Sequence, residues 1–281
     1  MSAAAGPPKL LAGRYQLERV LGTGGMGVVY RARDLLHEVL GEPDSSVALK
    51  LLGETFAESP DAHLLLYSEF AMTRSLRHAH VVRLFSFEVD TAHQLAFFTM
   101  ELMHGMTLDH LLKECPNGLP WPQLQPLALQ LLDALDYSHQ QGVLHGDVKP
   151  ANIMLGEQGL RLFDFGLGHS EAQKAAGLPR LSRSRLHAWT PAYAAPELMA
   201  GGCLSTSTDL YGAASVLYEL AQGRRLVEEQ RNQQLPRPRQ LPRHCWPALR
   251  SALATDPERR TVCVSELHEE MALRRRRWFL C

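Results

Sequence analysis

Leu21-Gly22-Thr23-Gly24-Gly25-Met26-Gly27-Val28-Val29 places glycines at 22, 24 and 27 in G-x-G-x-x-G spacing, and the residues after them decide the fold. A dinucleotide-binding unit needs a helix directly after such glycines, with its N-terminus on the pyrophosphate. Here Val28-Val29-Tyr30 follows, β-branched and aromatic, so the loop joins two strands. Glycines without a Cβ let backbone N–H groups come close to phosphates. An ordinary hairpin turn can share this spacing, so the flanking sequence has to separate the two.

The next strand, Val47-Ala48-Leu49-Lys50-Leu51-Leu52, has period-two faces. Ala48, Lys50 and Leu52 share one side, and Val47, Leu49 and Leu51 the other. A small residue beside a lysine leaves room for a flat ring and a cation for its phosphates. A lysine in so apolar a strand is costly unless paired. In Asp61–Arg77, Leu65, Glu69, Met72 and Leu76 follow i, i+4, i+7, i+11, one inward stripe. Glu69 is therefore a carboxylate on an apolar face and, like Lys50, wants an opposite charge. Only five of the 29 basic residues are lysines: Lys9, Lys50, Lys113, Lys149 and Lys174. Each marks either a place where an ammonium is wanted or a chance exception to an arginine bias.

Further along, His145-Gly146-Asp147-Val148-Lys149-Pro150-Ala151-Asn152 follows a helix ending near His139 and precedes a short strand, Ile153–Leu155. An Asp and an Asn five residues apart on a turn, Asp147 and Asn152, can address different atoms of one phosphoryl centre. Phosphoryl transfer asks mostly for positioning and charge neutralisation. A second carboxylate follows in Leu162-Phe163-Asp164-Phe165-Gly166. Few oxygen ligands from protein suit magnesium, which keeps waters and phosphate oxygens in its shell.

The chain has 281 residues, 45% apolar and 21% charged, with formal net charge −1, which excludes global disorder and supports one large domain or two lobes. It contains no apolar run long enough for a transmembrane span, and Met1–Lys9 does not read as a signal peptide. The five cysteines (115, 203, 245, 263 and 281) are scattered without metal-ligand spacing, which points to a reducing cytoplasm. Residues 1–13 read as a flexible lead-in. Short β-like runs follow at Arg14–Leu21, Val28–Arg33, Val47–Leu52, Val81–Glu88 and Gln94–Met100, interrupted by one helix. Helical signals dominate afterwards, at Leu108–Lys113, Leu124–His139 and Ser207–Gln222. The class is α+β, a small β-rich lobe followed by a larger helical one. Arg224–His244, rich in Arg, Gln and Pro, reads as a mobile loop. Between Arg231 and Cys281 eleven arginines face five acids, leaving that end at +6.

Together these motifs resemble the protein kinase family, specifically bacterial serine/threonine kinases of the eukaryotic-like type, over residues 14–270. The resemblance implies a bilobal fold with an N-lobe at 14–103, a C-lobe at 104–270 and a basic tail at 271–281. It implies that Leu21 through Val29 cover ATP, with Lys50 on the α- and β-phosphates and Glu69 positioning it. Val29 and Ala48 would lie on one side of the adenine and Met154 on the other, with Met100 as gatekeeper and Glu101 to Met103 as hinge. Asp147 would accept the substrate hydroxyl proton, and Lys149 would neutralise the transferring phosphate. Asn152 and Asp164 would bind magnesium, with manganese as a substitute. Lys149-Pro150 and Thr190-Pro191-Ala192-Tyr193-Ala194-Ala195-Pro196-Glu197 resemble the Ser/Thr rather than the tyrosine branch. Glu197 would pair with Arg260, and Asp209 would anchor the catalytic-loop backbone.

The family's usual arginine before the catalytic aspartate is Gly146 here, which puts activation by loop phosphorylation in doubt and leaves catalysis untouched. Ser182, Ser184 and Thr190 lie in that segment and could be autophosphorylated. Two alternatives stand beside the protein kinase. His-Gly-Asp with Asn five residues on also resembles aminoglycoside and choline kinases; Lys149-Pro150, the glycine loop and Ala195-Pro196-Glu197 argue against them. A pseudokinase scaffold usually loses one of the three key groups, whereas Lys50, Asp147 and Asp164 all stand. His78-Ala79-His80 has metal-like spacing but falls where the family has a histidine-rich turn. Arg274–Arg277 reads as the solvated end of a last helix, with weak contact to lipid or an acidic partner as the second reading. The implied partners are ATP and proteins bearing Ser or Thr, with no nucleic acid, in the cytoplasm.

Overall fold

A computed structural model describes residues 7–24, 27–52, 62–166, 168–170, 191–226 and 235–273. The described residues fall into two compact units: those within Met1–Arg77 and Val82–His104, and those within His78–Val81, Gly105–Ala172 and Trp189–Cys281.

The first unit is a six-stranded antiparallel sheet in the order β1-β2-β3-β4-β6-β5. Its strands are β1 (Leu10–Leu11), β2 (Tyr15–Gly24), β3 (Gly27–Asp34), β4 (Ser46–Leu52), β5 (Leu84–Asp90) and β6 (Leu95–Glu101). The glycine loop does join two strands, β2 and β3, with Thr23 opposite Val28 and Gly24 opposite Gly27. Period two holds on β4. Val47, Leu49 and Leu51 enter one core with Leu11, Tyr15, Ala32 and Phe97, while Ala48 and Lys50 take the other face. A short helix, α1 (Leu35–Val39), interrupts the β3–β4 connection, and α2 (Ala62–Arg74) carries Glu69. On α2 the buried face is wider than a single stripe, since Leu66, Phe70 and Thr73 are buried beside Glu69 and Met72.

The lead-in to the fold ends earlier than its composition suggests. Leu10–Leu11 pairs with Tyr15–Gln16, Leu11 is fully buried, and the Ala12 N–H donates to Asp90 at 2.7 Å. Two apolar residues are too few for a periodic signal, and the tether is a carboxylate 78 residues away.

The second unit is mainly helical: α3 (Leu108–Glu114), α4 (Trp121–Gln140), α5 (Pro196–Met199), α6 (Thr206–Gln222), α7 (Trp246–Ala252) and α8 (Val264–Ala272). On α4, Leu124, Leu127, Ala128, Leu131, Leu132 and Leu135 are buried at i, i+3, i+4, i+7, i+8 and i+11. The helix starts at Trp121, before the expected Leu124, and includes Pro126 as that expected span did. Ser205 and Thr208 form a capping box for α6, and Gly223 ends it in the left-handed region at φ +74°. Between Thr208 and Ala221 only Glu219 is not buried, so α6 is the central rod of this unit. Small antiparallel ladders join β7 (Gly105–Thr107) to β9 (Ile153–Gly156), β9 to β10 (Gly159–Leu162), and β8 (Val143–Leu144) to β11 (His169–Ser170).

The expected mobile loop at 224–244 is corrected over its described ends. Leu226, Pro238 and Leu241 are buried, Tyr218 Oη donates to the Pro236 carbonyl at 3.3 Å, and Arg237 donates to the Leu241 carbonyl. No helix forms at 235–244, as the prolines require, yet isolated apolar residues pin an irregular chain onto the unit. Residues 227–234 lie outside the described residues, as do Gly25, Met26, Ser182, Ser184, Thr190 and Arg274–Arg277.

Candidate active site

In the first unit Lys50 and Glu69 form a direct ion pair, with Nζ at 2.6 and 2.9 Å from the two carboxylate oxygens. Lys50 is 7% and Glu69 5% exposed, and the ammonium lies 5.8 Å from the centre of the Phe98 ring. Strand period and helix period converge on this pair from opposite sides. Ala48 and Met100 are cross-strand partners on β4 and β6, both buried. Glu101 ends β6; its N–H bonds the Arg83 carbonyl, and its carboxylate accepts the Arg83 N–H at 2.7 Å. Met103 follows in the irregular link to β7, half-buried.

Leu21, Gly22, Thr23 and Gly24 lie exposed on β2, while on β3 Gly27 is buried and Val28 and Val29 are half-buried; Gly25 and Met26 lie outside the described residues. A Cβ built at Gly22 or Gly24 would meet nothing within 4 Å among the described residues. The protein's own packing therefore does not demand glycine there. Open space beside the backbone suits the close approach of an external group.

In the second unit the loop His145–Asn152 hangs from one carboxylate. Asp209 on α6 accepts the N–H of His145 at Oδ2 and the N–H of Gly146 at Oδ1, both at 2.8 Å. His139 Nε2 lies 3.0 Å from Oδ2. Gly146 sits at φ +81°, a conformation that favours glycine. A Cβ on Gly212 would stand 3.0 Å from the Val148 carbonyl, so glycine there lets α6 approach the loop.

His145 is fully buried and works as a strut. Its Nδ1 accepts the Asp147 N–H at 3.1 Å, so the proton sits on Nε2, which donates to the Phe163 carbonyl at 3.0 Å. Burial pushes this imidazole below the usual histidine value, and the nearby carboxylates of Asp209 and Asp147 oppose that shift. Its ring packs 4.4 Å from that of Phe165, which is fully buried. Sequence reading quoted His145 and Phe165 inside their motifs without assigning either a role; neither residue type signals its contacts in advance.

Asp147 Oδ2 lies 2.5 Å from Lys149 Nζ and 3.2 Å from Asn152 Nδ2. Asn152 Nδ2 also donates to the Asp147 carbonyl at 2.9 Å. With its nitrogen so engaged, the Asn152 amide turns its oxygen away from the aspartate, the orientation a hard cation requires. Asp164, at the end of the strand pair β9–β10, holds the left-handed region at φ +65°. The donor set of an amide oxygen and a carboxylate fits magnesium. No cluster of three or more His, Cys, Asp or Glu able to hold a metal occurs among the described residues. Met154 lies half-buried on β9 opposite Arg161.

Two further pairs hold this unit. Arg260 grips Glu197 through both nitrogens at 2.5 and 2.6 Å, donates to the Ala254 carbonyl and lies 4.9 Å from the centre of the Tyr211 ring. Tyr193 Oη donates to Glu219 at 2.6 Å, and burial raises both groups above their ordinary values. His78 and His80 are structural: His78 Nε2 faces Asp133 at 3.2 Å, and His80 Nδ1 meets the Leu160 carbonyl at 3.0 Å.

A paired strand lysine in the first unit, and in the second an aspartate–lysine–asparagine loop with a further carboxylate, are residue types that phosphoryl transfer asks for. The protein kinase domain family matches residues 15–270, and the chain belongs to that family. Serine/threonine-protein kinase PkaA of Streptomyces coelicolor is 33% identical over 266 residues, covering 88% of this chain and 47% of that protein. The DNA damage-responsive serine/threonine-protein kinase RqkA of Deinococcus radiodurans is 36% identical over 220 residues, 77% of this chain and 31% of that protein. The chain thus spans under half the length of these curated relatives. Among solved structures, the PknI kinase domain of Mycobacterium tuberculosis superposes with a TM-score of 0.68 at 28% identity, covering 96% of this chain and 98% of that one.

Proposed function

We propose that this chain transfers the γ-phosphoryl group of ATP to serine or threonine hydroxyls of proteins. The observation that carries this reading is the Asp147–Lys149–Asn152 constellation, held by backbone bonds to a single buried carboxylate, Asp209. Asp147 takes the proton of the attacking hydroxyl as its oxygen bonds to the γ-phosphorus. Lys149 stays beside the transferring group as a counter-charge while the bond from that phosphorus to the β,γ-bridging oxygen breaks. Lys50, aligned by Glu69, holds the α- and β-phosphates. Leu21 through Val29 cover the nucleotide, and Ala48, Met100, Glu101, Met103 and Met154 receive its base.

Asn152 and Asp164 would hold magnesium, or manganese in its place. When bound, the ion supplies positive charge to the β- and γ-phosphate oxygens. Gly146 has no side chain to pair with an activation-segment phosphate, which supports a non-RD type whose activity does not require phosphorylation of that segment. We assign the chain to bacterial signalling in the cytoplasm, with autophosphorylation as a side reaction. No helix among the described residues is long and apolar enough to cross a membrane.

The test is transfer from labelled ATP to a generic basic protein and, in parallel, to an aminoglycoside, with magnesium, manganese or chelator. Protein phosphoserine or phosphothreonine is expected, lost with chelator and reduced on the order of 10²–10⁴-fold in Asp147→Asn. Labelled aminoglycoside, or tight ATP binding without transfer to any protein, would overturn it.

A further inference from the structure

The β3–β4 connection is far longer than the sheet requires. The ladder closes at Arg33 opposite Ser46, leaving twelve residues, 34–45, where a hairpin needs about two to five. This connection forms α1 and an irregular return, and none of the α1 residues is buried. Its amphipathicity is inverted. Polar contacts hold it to the body: Asp34 caps the helix by accepting the Leu36 and His37 N–H groups, and His37 faces Asp34 and Glu42. The apolar side chains point outward, with Leu36 47%, Val39 84% and Leu40 67% exposed.

The charges of this connection are one-sided. Residues 35–45 contain Glu38, Glu42 and Asp44 and no lysine or arginine. Glu38 has Arg33 at 3.5 Å, and Asp44 accepts the Ser46 N–H, but among the described residues the Glu42 side chain meets only His37, at 3.7 Å. His37, Glu42 and Asp44 of the connection line a 560 Å³ cleft, which Arg83, Phe85 and Glu101 also line. Of the two arginines in that cleft, Arg14 is consumed by Asp34 through two bonds of 2.8 and 2.7 Å, and Arg83 lies over the Phe85 ring.

Contiguous exposed apolar side chains rimmed by charge mark an interaction surface. Carboxylates here repel anionic lipid headgroups and nucleic-acid phosphates, which recruit cationic surfaces instead. From this we infer that α1 and its return are a docking knob for a protein segment that combines apolar side chains with lysine or arginine. Leu36, Val39 and Leu40 take the partner's apolar face, and Glu42 and Asp44 take its cations at the mouth of the cleft. None of Leu36, Val39, Leu40, Glu42 and Asp44 is among the proposed catalytic or nucleotide-binding groups, so the surface serves recruitment rather than chemistry.

The test uses the full chain and a fluorescein-labelled synthetic helix with leucine at i, i+3, i+4 and i+7 and arginine between. Matched peptides carrying glutamate for arginine, or serine for leucine, are the controls. Saturable binding is expected for the first peptide alone, with hydrogen-exchange protection confined to residues 35–45 and 83–85. Leu36→Ser/Val39→Ser/Leu40→Ser and, separately, Glu42→Lys/Asp44→Lys should each weaken binding at least about tenfold. All five side chains stand at the surface, and transfer to a generic substrate should stay within about twofold of wild type, which separates this surface from the catalytic reading. Undiminished binding to both variants, protection elsewhere, or no binding at all would overturn the inference. Self-association that the triple serine variant abolishes would overturn it in favour of a second copy, and binding to phosphatidylserine vesicles lost in that variant would do so in favour of lipid.

Discussion

Replacing Asp209 by Asn tests whether the catalytic loop is hung from α6. The substitution keeps shape and removes charge. Asp209 is 2% exposed and receives three donors: the His145 N–H and His139 Nε2 at one oxygen, the Gly146 N–H at the other. An amide can place its oxygen where two donors meet, but its NH₂ then faces the Gly146 N–H, donor against donor. A hydrogen bond to a charged group contributes about 1.5–3 kcal/mol, and a buried amide left unpaired costs about 1–3 kcal/mol. The two surviving bonds weaken to neutral strength. Relief from burying a charge offsets part of this, so the net loss is about 3 kcal/mol.

That strain falls on Gly146, one residue before the proposed base, and a misplacement near 1 Å costs on the order of 100-fold in rate. Urea unfolding of Asp209→Asn should show the stability loss, and hydrogen exchange should show faster exchange at His145 and Gly146 than at the core of α6. Turnover should fall on the order of 100-fold with the ATP KM nearly unchanged, because Lys50 and Glu69 are untouched. Unchanged protection at Gly146 together with turnover within about twofold would refute the anchoring argument.

Glu69→Gln leaves the Lys50 ammonium buried without its carboxylate, so it should lower turnover about tenfold or more and destabilise the nucleotide-free protein by up to about 3–5 kcal/mol; ATP should restore part of the stability, and unchanged turnover would refute the pairing. His145 is held neutral by burial, so the unfolded chain takes up a proton first as pH falls. Stability should therefore decline from about pH 6.5 downward, with a slope approaching 1.4 kcal/mol per pH unit per proton, and His145→Gln should flatten it. Asp90 is held at about 2, chiefly by the Ala12 N–H. Its stabilisation is present above the ordinary carboxylate value and lost as pH falls through 2, and Asp90→Asn should speed exchange at Leu11 and Ala12 at neutral pH. Exchange should be slow at Leu241, whose N–H bonds the Pro238 carbonyl, and Tyr218→Phe should quicken it; random-coil rates at 241 would refute the packed reading of 235–244.

Periodicity made the Lys50–Glu69 pair of the first unit legible. Two independent periods, two residues on β4 and 3.6 on α2, each left one charge on an apolar face, and burial forced the two to meet. Where a feature lacked a period, it was hidden. Leu10–Leu11 is two residues long, and its tether, Asp90, is distant in sequence. The start of α4 at Trp121, three residues before the expected Leu124, carries prolines at 120 and 122 in place of an apolar period. The arginine- and proline-rich stretch before Trp246 reads as loose by composition, but Pro238 and Leu241 are each buried, and single anchors carry no pattern.

The catalytic loop shows the same limit in sharper form. Its spacing announces Asp147, Lys149 and Asn152, because chemistry fixes those residue types. Gly146, by contrast, reads only as a missing arginine. The structure adds that its backbone is left-handed at φ +81° and that its N–H is spent on Asp209. A glycine thus serves the loop's geometry while taking away a phosphate-binding side chain. Gly146→Arg would restore the cation at the expense of about 1–2 kcal/mol of backbone strain. Under the proposed reading, the missing phosphate-pairing side chain and the ease of folding are therefore coupled at one position.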